Sequence, residues 1–324
     1  MKFHLGFQPN TSSHKITHQS ELLMIGSCFS EHIGNRLNDL KFSIHSNPFG
    51  IVFNPKSIET ALNRIINNTY FTEAEVFEKD GQWFCMDAHS AISGSSEQEL
   101  ITGLNSMIDQ WYQKLKSANY LTITFGSAYA YNDKARNKIV ANCHKLPQAL
   151  FEKTLLDTQD VVRDYQNLID QLSQFNSGLK LLFTVSPVKH LKDGVVENSL
   201  SKAILIQAVH QLVKLNANCF YFPAYELVND DLRDHRFYEA DMAHPNAQAI
   251  DYVWQKFGET YFDETTVALN IKLVEIKQAF HHRLFNEKSE SALAFKQKYR
   301  RKCLELQEES AFLNLSNELN YFSN

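Results

Sequence analysis

Five short apolar runs, at residues 22–25, 42–45, 121–125, 181–185 and 219–222, are separated by longer segments with helical spacing of apolar residues, at 57–67, 97–116, 158–175, 199–215 and 247–257. Apolar runs this short, with few polar interruptions, read as strands buried on both faces. Strands that alternate with helices connect by crossovers, which makes the sheet parallel and covers it on both sides. The pattern predicts a three-layer α/β/α sandwich around a flavodoxin-like, five-stranded parallel sheet.

Two segments interrupt the alternation. Around Asp80-Gly81 the sequence alternates apolar and polar residues on both sides of a hairpin turn signal, which predicts a hairpin insertion over about 73–86 on the rim of the sheet. Residues 126–146 follow the third strand and are too many for an ordinary strand-to-helix turn. They are expected to form an active-site loop, because open α/β sheets hold ligands at the carboxyl ends of their strands. Beyond 265 the chain changes character, with two charged helical stretches (267–286 and 289–313) and neither proline nor glycine. This divides it into an α/β domain over 1–264 and a helical C-terminal extension over 265–324, suited to a solvated appendage, a partner surface or a dimerisation arm.

The formal net charge of −5 over 324 residues leaves no basic footprint for nucleic acid, which is excluded as a default partner. The first twenty residues are polar and interrupted by Pro9, and no stretch approaches the roughly 20 apolar residues that span a bilayer. The expectation is a cytoplasmic protein without a membrane span. Its five cysteines are odd in number and lack Cys-x-x-Cys spacing, so neither a disulfide framework nor a structural zinc site is predicted. No cofactor is predicted either.

The chemistry concentrates at two places. Gly26-Ser27-Cys28-Phe29-Ser30 closes the first strand and opens a helix ending near Leu40. Free backbone N–H groups at a helix N-terminus stabilise negative charge, so Cys28 and Ser27 are candidate nucleophiles there. Asp241-Met242-Ala243-His244-Pro245-Asn246 lies between the last strand and the last sheet-covering helix, with Pro245 expected at the first helical position. His244 is placed to accept a proton from the nucleophile, and Asp241 to fix its tautomer. His190, after Ser186-Pro187 at the end of the fourth strand, points to the same edge as a substrate contact. His144, His190 and His244 show no metal-ligand spacing.

These blocks, over roughly residues 20–258, resemble the SGNH/GDSL hydrolases. Gly26-Ser27-Cys28-Phe29-Ser30 is similar to the signature of the GSCFA-domain family, a bacterial branch of that superfamily. So are Ala141-Asn142-Cys143-His144-Lys145, Ser186-Pro187-Val188-Lys189-His190 and the run from Arg233 to Tyr238 that leads to Asp241 and His244. In the superfamily's Gly-Asp-Ser-Leu block the nucleophile is the second residue after glycine, and that register selects Cys28, with Ser27 the alternative. The resemblance makes Gly50 the second-block glycine, whose N–H helps bind the oxyanion. Where an asparagine is expected in the third block this chain has Ala128, and Asn142, with His144 beside it, is the candidate to supply the missing contact. A thiol at a helix N-terminus next to histidine is expected to ionise easily.

What the resemblance implies is acyl transfer at an ester through a covalent acyl-enzyme, by hydrolysis or by transfer to an acceptor. The implied substrate is an O-acyl group, O-acetyl included, on a carbohydrate. The rival reading is a non-catalytic module that binds a carbohydrate or nucleotide at the same edge, since a hydrolase fold can lose its chemistry and keep its pocket.

Overall fold

The computed structural model describes residues 4–286 and 288–323. The strands are β1 (Glu21–Gly26), β2 (Ser43–Ser46), β3 (Val76–Lys79), β4 (Gln82–Cys85), β5 (Tyr120–Phe125), β6 (Tyr129–Asp133), β7 (Lys138–Val140), β8 (Phe151–Leu155), β9 (Lys180–Val185) and β10 (Cys219–Tyr221). The helices are α1 (Cys28–Asp39), α2 (Pro55–Ile66), α3 (Glu97–Ser117), α4 (Thr158–Phe175), α5 (Val195–Leu215), α6 (Ala224–Glu226), α7 (Ala247–Tyr261), α8 (Glu264–Phe280), α9 (Glu290–Glu309) and α10 (Ser316–Ser323).

Five of the strands form one parallel sheet in the order β10-β9-β5-β1-β2. Its strands are the five predicted from the apolar runs. Alternate residues of each central strand point to opposite layers, as the period of two requires. Leu23, Ile25, Leu121, Ile123, Leu181 and Phe183 pack with α2, α3, α4 and α5 on one face. Leu22, Met24, Tyr120 and Leu182 pack with α1 and α7 on the other. The three-layer α/β/α sandwich follows from these two apolar clusters.

The predicted hairpin forms as β3 and β4, antiparallel and closed at Asp80-Gly81. The segment expected as an active-site loop is different. Residues 129–155 form a second, antiparallel sheet in the order β7-β6-β8, so the insertion is a small sheet that continues past residue 146. Its strands are short and polar on one side, which conceals them from a search for apolar runs.

The C-terminal extension is helical, with a third helix, α10, that the sequence pattern does not announce. Leu273 and Ile276 of α8, Cys303 and Leu306 of α9, and Phe322 of α10 join the apolar cluster that holds α1 and α7. The extension is therefore packed on the α/β layers rather than standing free in solvent. No described helix is long and apolar enough to cross a membrane.

Candidate active site

Strand order reverses between β1 and β5, since β2 follows on one side and β9 and β10 on the other. In an open parallel sheet that reversal leaves a crevice at the carboxyl ends, the usual place for a ligand. Gly26 ends β1 there at φ +143, and a Cβ on it would fall 2.2 Å from Thr124 O. Only glycine lets β1 run this close to β5 and then turn into α1. Gly26 N–H donates to Asn47 Oδ1 at 2.9 Å, and Ser27 N–H to Thr124 O at 3.2 Å, which fixes the turn against both neighbouring strands.

Ser27 is the N-cap of α1, buried, with its Oγ accepting the Phe29 N–H at 3.3 Å. Its oxygen is committed to the helix. Cys28, the first residue of α1, is the partly exposed member of the pair. Burial pushes its thiol pKa up, and outweighs the pull of the Phe29 and Cys28 amides and of the Lys202 ammonium toward thiolate; Glu31 adds to the rise. The expectation of an easily ionised thiol is corrected accordingly.

Asp241 and His244 come together in a tight turn. Asp241 Oδ1 accepts the N–H groups of Ala243 and His244 at 2.9 and 3.0 Å, while Oδ2 lies 2.6 Å from His244 Nδ1. These bonds hold the Asp241 carboxyl down at about 2, the backbone N–H of His244 contributing most. With Nδ1 held by the carboxylate, Nε2 is left as the ring's other nitrogen on a half-exposed side chain. Pro245 does not open the helix as predicted. It bridges to Tyr238, and α7 begins at Ala247 under the Asn246 cap, because the Glu239 N–H bond to His244 O keeps the turn going for one more pair.

The Asp241–His244 turn is tied to the end of β9 by Lys189 N–H, which donates to Ala243 O at 3.0 Å. The charge of His244 is felt by His32, one turn along α1 from Cys28, and by His190. Gly126 lies between His190 and the Gly26-Ser27-Cys28 turn: a Cβ on it would lie 3.3 Å from His190 Nε2 and 3.4 Å from Ser27 Cβ. Cys28, His190 and His244 thus share one edge of the sheet. Among the described residues no hydrogen bond joins Cys28 or Ser27 to His244. The His190 ring stacks at a tilt on Phe53, 5.0 Å between centroids, and burial with the Lys202 charge lowers its pKa to about 4.

Lys202 is the group that sequence reasoning missed. Its ammonium is fully buried and donates to Gly126 O at 2.5 Å and Ser186 O at 2.7 Å, the carbonyls just beyond β5 and β9. Burial depresses its pKa to about 7. The signal was present: Asn198, Ser201, Leu205, Ala208, Val209 and Leu212 form the buried stripe of α5, and Lys202 falls on it.

Three predicted contacts are arranged differently from expectation. Gly50 N–H donates to Asn47 O at 2.9 Å, closing a turn at φ +73, so it is no free oxyanion donor in this structure. The Asn142 oxygen is engaged locally; Oδ1 accepts from Ser90 Oγ and His144 N–H at 3.1 and 2.7 Å. His144 is buried between β4 and the insertion, with Nε2 2.8 Å from Cys85 O and Nδ1 3.1 Å from Ser90 Oγ. A carbonyl only accepts, so Nε2 carries the proton. The segment pins the insertion to residues 85–90, since a loop without apolar strands needs such polar ties. Among the described residues no group of three His, Cys, Asp or Glu side chains is arranged to hold a metal. A surface groove lies away from this edge, between α1, α7 and α8, lined by Arg36, Trp254, Val274 and Lys277.

The fold and this edge define an open, doubly wound α/β protein with a glycine-turn cysteine at the strand reversal. Residues 21–257 match the GSCFA family, and residues 274–324 match the C-terminal domain of GSCFA domain proteins. The chain belongs to the GSCFA family. No curated protein matches it. Among solved structures it is similar to a carbohydrate esterase family 3 protein from Talaromyces cellulolyticus, at 6% identity and TM-score 0.36, over 80% of this chain and 99% of that one. It is also similar to the acetyl xylan esterase Est2A from the rumen bacterium Butyrivibrio proteoclasticus, at 7% identity and TM-score 0.37, over 77% of this chain and 64% of that one.

Proposed function

We propose that the protein is an acyl hydrolase or acyltransferase that acts on an ester through a covalent acyl-enzyme on Cys28, with an O-acyl group of a carbohydrate as substrate. The observation that carries the reading is the Asp241–His244 pair, 2.6 Å between Oδ2 and Nδ1, on the same carboxyl edge as the Gly26-Ser27-Cys28 turn. Cys28 Sγ attacks the ester carbonyl as its proton passes to His244 Nε2. The tetrahedral intermediate then collapses, and His244 returns the proton to the leaving alcohol. Water or an acceptor hydroxyl repeats the sequence in reverse and frees Cys28. Asp241 stabilises the imidazolium throughout. The Cys28 N–H at the start of α1 and the ring of His190 are donors available for the oxyanion, since the N–H groups of Gly50, Phe29 and Ser30 are bonded elsewhere. Catalytic hydrogen bonds are often long without substrate and tighten when it binds, which accommodates the open Cys28–His244 contact.

The raised thiol pKa of Cys28 favours a second reading, a non-catalytic module that holds a carbohydrate or nucleotide at this edge. Hydrolysis of activated esters and acetylated sugars by wild type, Cys28→Ala, Ser27→Ala and His244→Ala separates the two. Loss on Cys28→Ala and His244→Ala with activity retained on Ser27→Ala supports the enzyme. Hydrolysis that survives both Cys28→Ala and Ser27→Ala rejects the mechanism, and a wild type that binds acetylated sugars without turnover supports the module.

A further inference from the structure

The bonds inside the Asp241–His244 turn fix its shape but not its place in the molecule. Residues 239–244 form a loop that is exposed apart from the half-buried Ala243. Its tip, Met242, sits at φ +57, a left-handed conformation that a methionine keeps only where its surroundings impose it. Both side chains of the Asp241–His244 pair are about half exposed, and a pair that open to water contributes little by itself. The loop must therefore be held from outside. A short antiparallel ladder closes its base: Asn246 N–H donates to Phe237 O at 2.9 Å, Glu239 N–H to His244 O at 2.7 Å, and Tyr238 bridges to Pro245 between them. Tyr238 and Pro245 are buried, so the base is where the rest of the protein grips the loop.

Three contacts make that grip. The Tyr238 hydroxyl donates to Asn229 Oδ1 at 2.8 Å, and burial pushes the phenol up to about 12, so it stays a donor. Asn229 belongs to a π-helix, Leu227–Leu232, whose Leu227 and Val228 are sunk in the apolar cluster that holds α7. Wide turns of this kind are rare and gather at functional sites. Lys189, four residues past β9, holds the loop twice. Its N–H donates to Ala243 O at 3.0 Å, and its ammonium stands 3.9 Å from the centre of the Tyr238 ring. Lys189 forms no ion pair among the described residues, which leaves its cation on the ring face.

We propose that Tyr238 is a positioning residue for the reaction proposed above: anchored by Asn229 and Lys189, it holds the loop so that the His244 ring keeps the orientation in which Asp241 binds Nδ1. The proposal rests on His244 being the proton carrier and adds what sets the place of its ring. Asp241 orients the imidazole within the turn, and Tyr238 fixes the turn to the end of β9 and to the π-helix.

The test is the tautomer of the His244 ring, read from side-chain 15N shifts at alkaline pH, where imidazoles are neutral. Wild type is compared with Tyr238→Phe, which keeps the ring under Lys189 and removes only the hydroxyl. The expected result is the Nδ1–H form in wild type and an Nε2–H share about fivefold larger in the variant, the change that one lost hydrogen bond produces. In ester hydrolysis kcat should fall about tenfold with KM unchanged, because the ring is misplaced while substrate contacts remain. A folded Tyr238→Phe with the wild-type tautomer ratio overturns the proposal, whatever its loss of stability, and so does an active enzyme whose kcat is unchanged. If Tyr238→Phe does not fold, Asn229→Ala removes the same bond from the acceptor side, and an unmoved tautomer there overturns the proposal equally. The tautomer is read without substrate. A protein with no ester hydrolysis but a shifted tautomer loses the function proposed above and keeps the hold of Tyr238 on His244, and an active enzyme with an unmoved tautomer does the opposite.

Discussion

Asp241 Oδ2 stands 2.6 Å from His244 Nδ1, and the same carboxylate accepts the backbone N–H groups of Ala243 and His244. One side chain therefore shapes the turn and orients the ring it carries. Because the backbone of His244 is the largest cause of the low Asp241 pKa, the carboxyl should titrate well below the usual 3.9 even in His244→Ala, as read by 13C NMR of the carboxyl. The sign follows: the pairing contributes above the unfolded pKa and is lost as pH falls through about 2. Asp241→Asn keeps the turn's acceptor and removes the charge, so ester hydrolysis should drop by about a hundredfold with little change in thermal stability.

His190 makes a measurable contribution to acid sensitivity. Its folded pKa of about 4 lies below the unfolded value near 6.5, so in that interval the unfolded chain binds more protons than the folded one. Stability from this group is full above pH 6.5 and falls as pH drops toward 4. Urea unfolding at pH 7.5 and pH 4.5 should show a loss of about 2 to 3 kcal/mol that is absent in His190→Gln.

His144 should prove structural. Its ring is buried, donates from Nε2 to Cys85 O, has Nδ1 3.1 Å from Ser90 Oγ, and packs edge-on against Phe77. His144→Ala removes the pin and leaves a cavity, for an expected cost of about 2 to 4 kcal/mol in unfolding free energy. Hydrolysis by the folded fraction should remain within a few-fold of wild type.

The sheet was legible because each central strand is a run of residues such as Leu22, Leu23, Met24 and Ile25 that only a strand covered on both faces can bury. The Gly26-Ser27-Cys28 turn and the Asp241–His244 pair were legible because a glycine between strand and helix, and an Asp three residues before a His, act through local geometry. What escaped depends on distant packing. The strands from Tyr129 to Leu155 are short and half polar, and take their structure from pairing with one another. Gly50 N–H and Asn142 Oδ1 find partners within their own turns, which a register against a superfamily does not reveal. Lys202 was marked only by a charge on an apolar stripe, and its meaning required the carbonyls of Gly126 and Ser186.

Gly26 is the most stringent single position in the site. At φ +143, with Thr124 O 2.2 Å from where a Cβ would stand, alanine would meet both a disfavoured backbone conformation and backbone atoms of β5 that cannot rotate away. The strand would have to separate from β5 at its carboxyl end, breaking the Ser27 N–H bond to Thr124 O and freeing the α1 cap. Gly26→Ala should cost more than about 3 kcal/mol in chemical unfolding. Hydrogen exchange should localise the damage. Faster exchange at Ser27 and Phe29 with protection retained at the centre of β9 is the expected pattern, and uniform acceleration across the sheet would show instead that the turn anchors the whole fold.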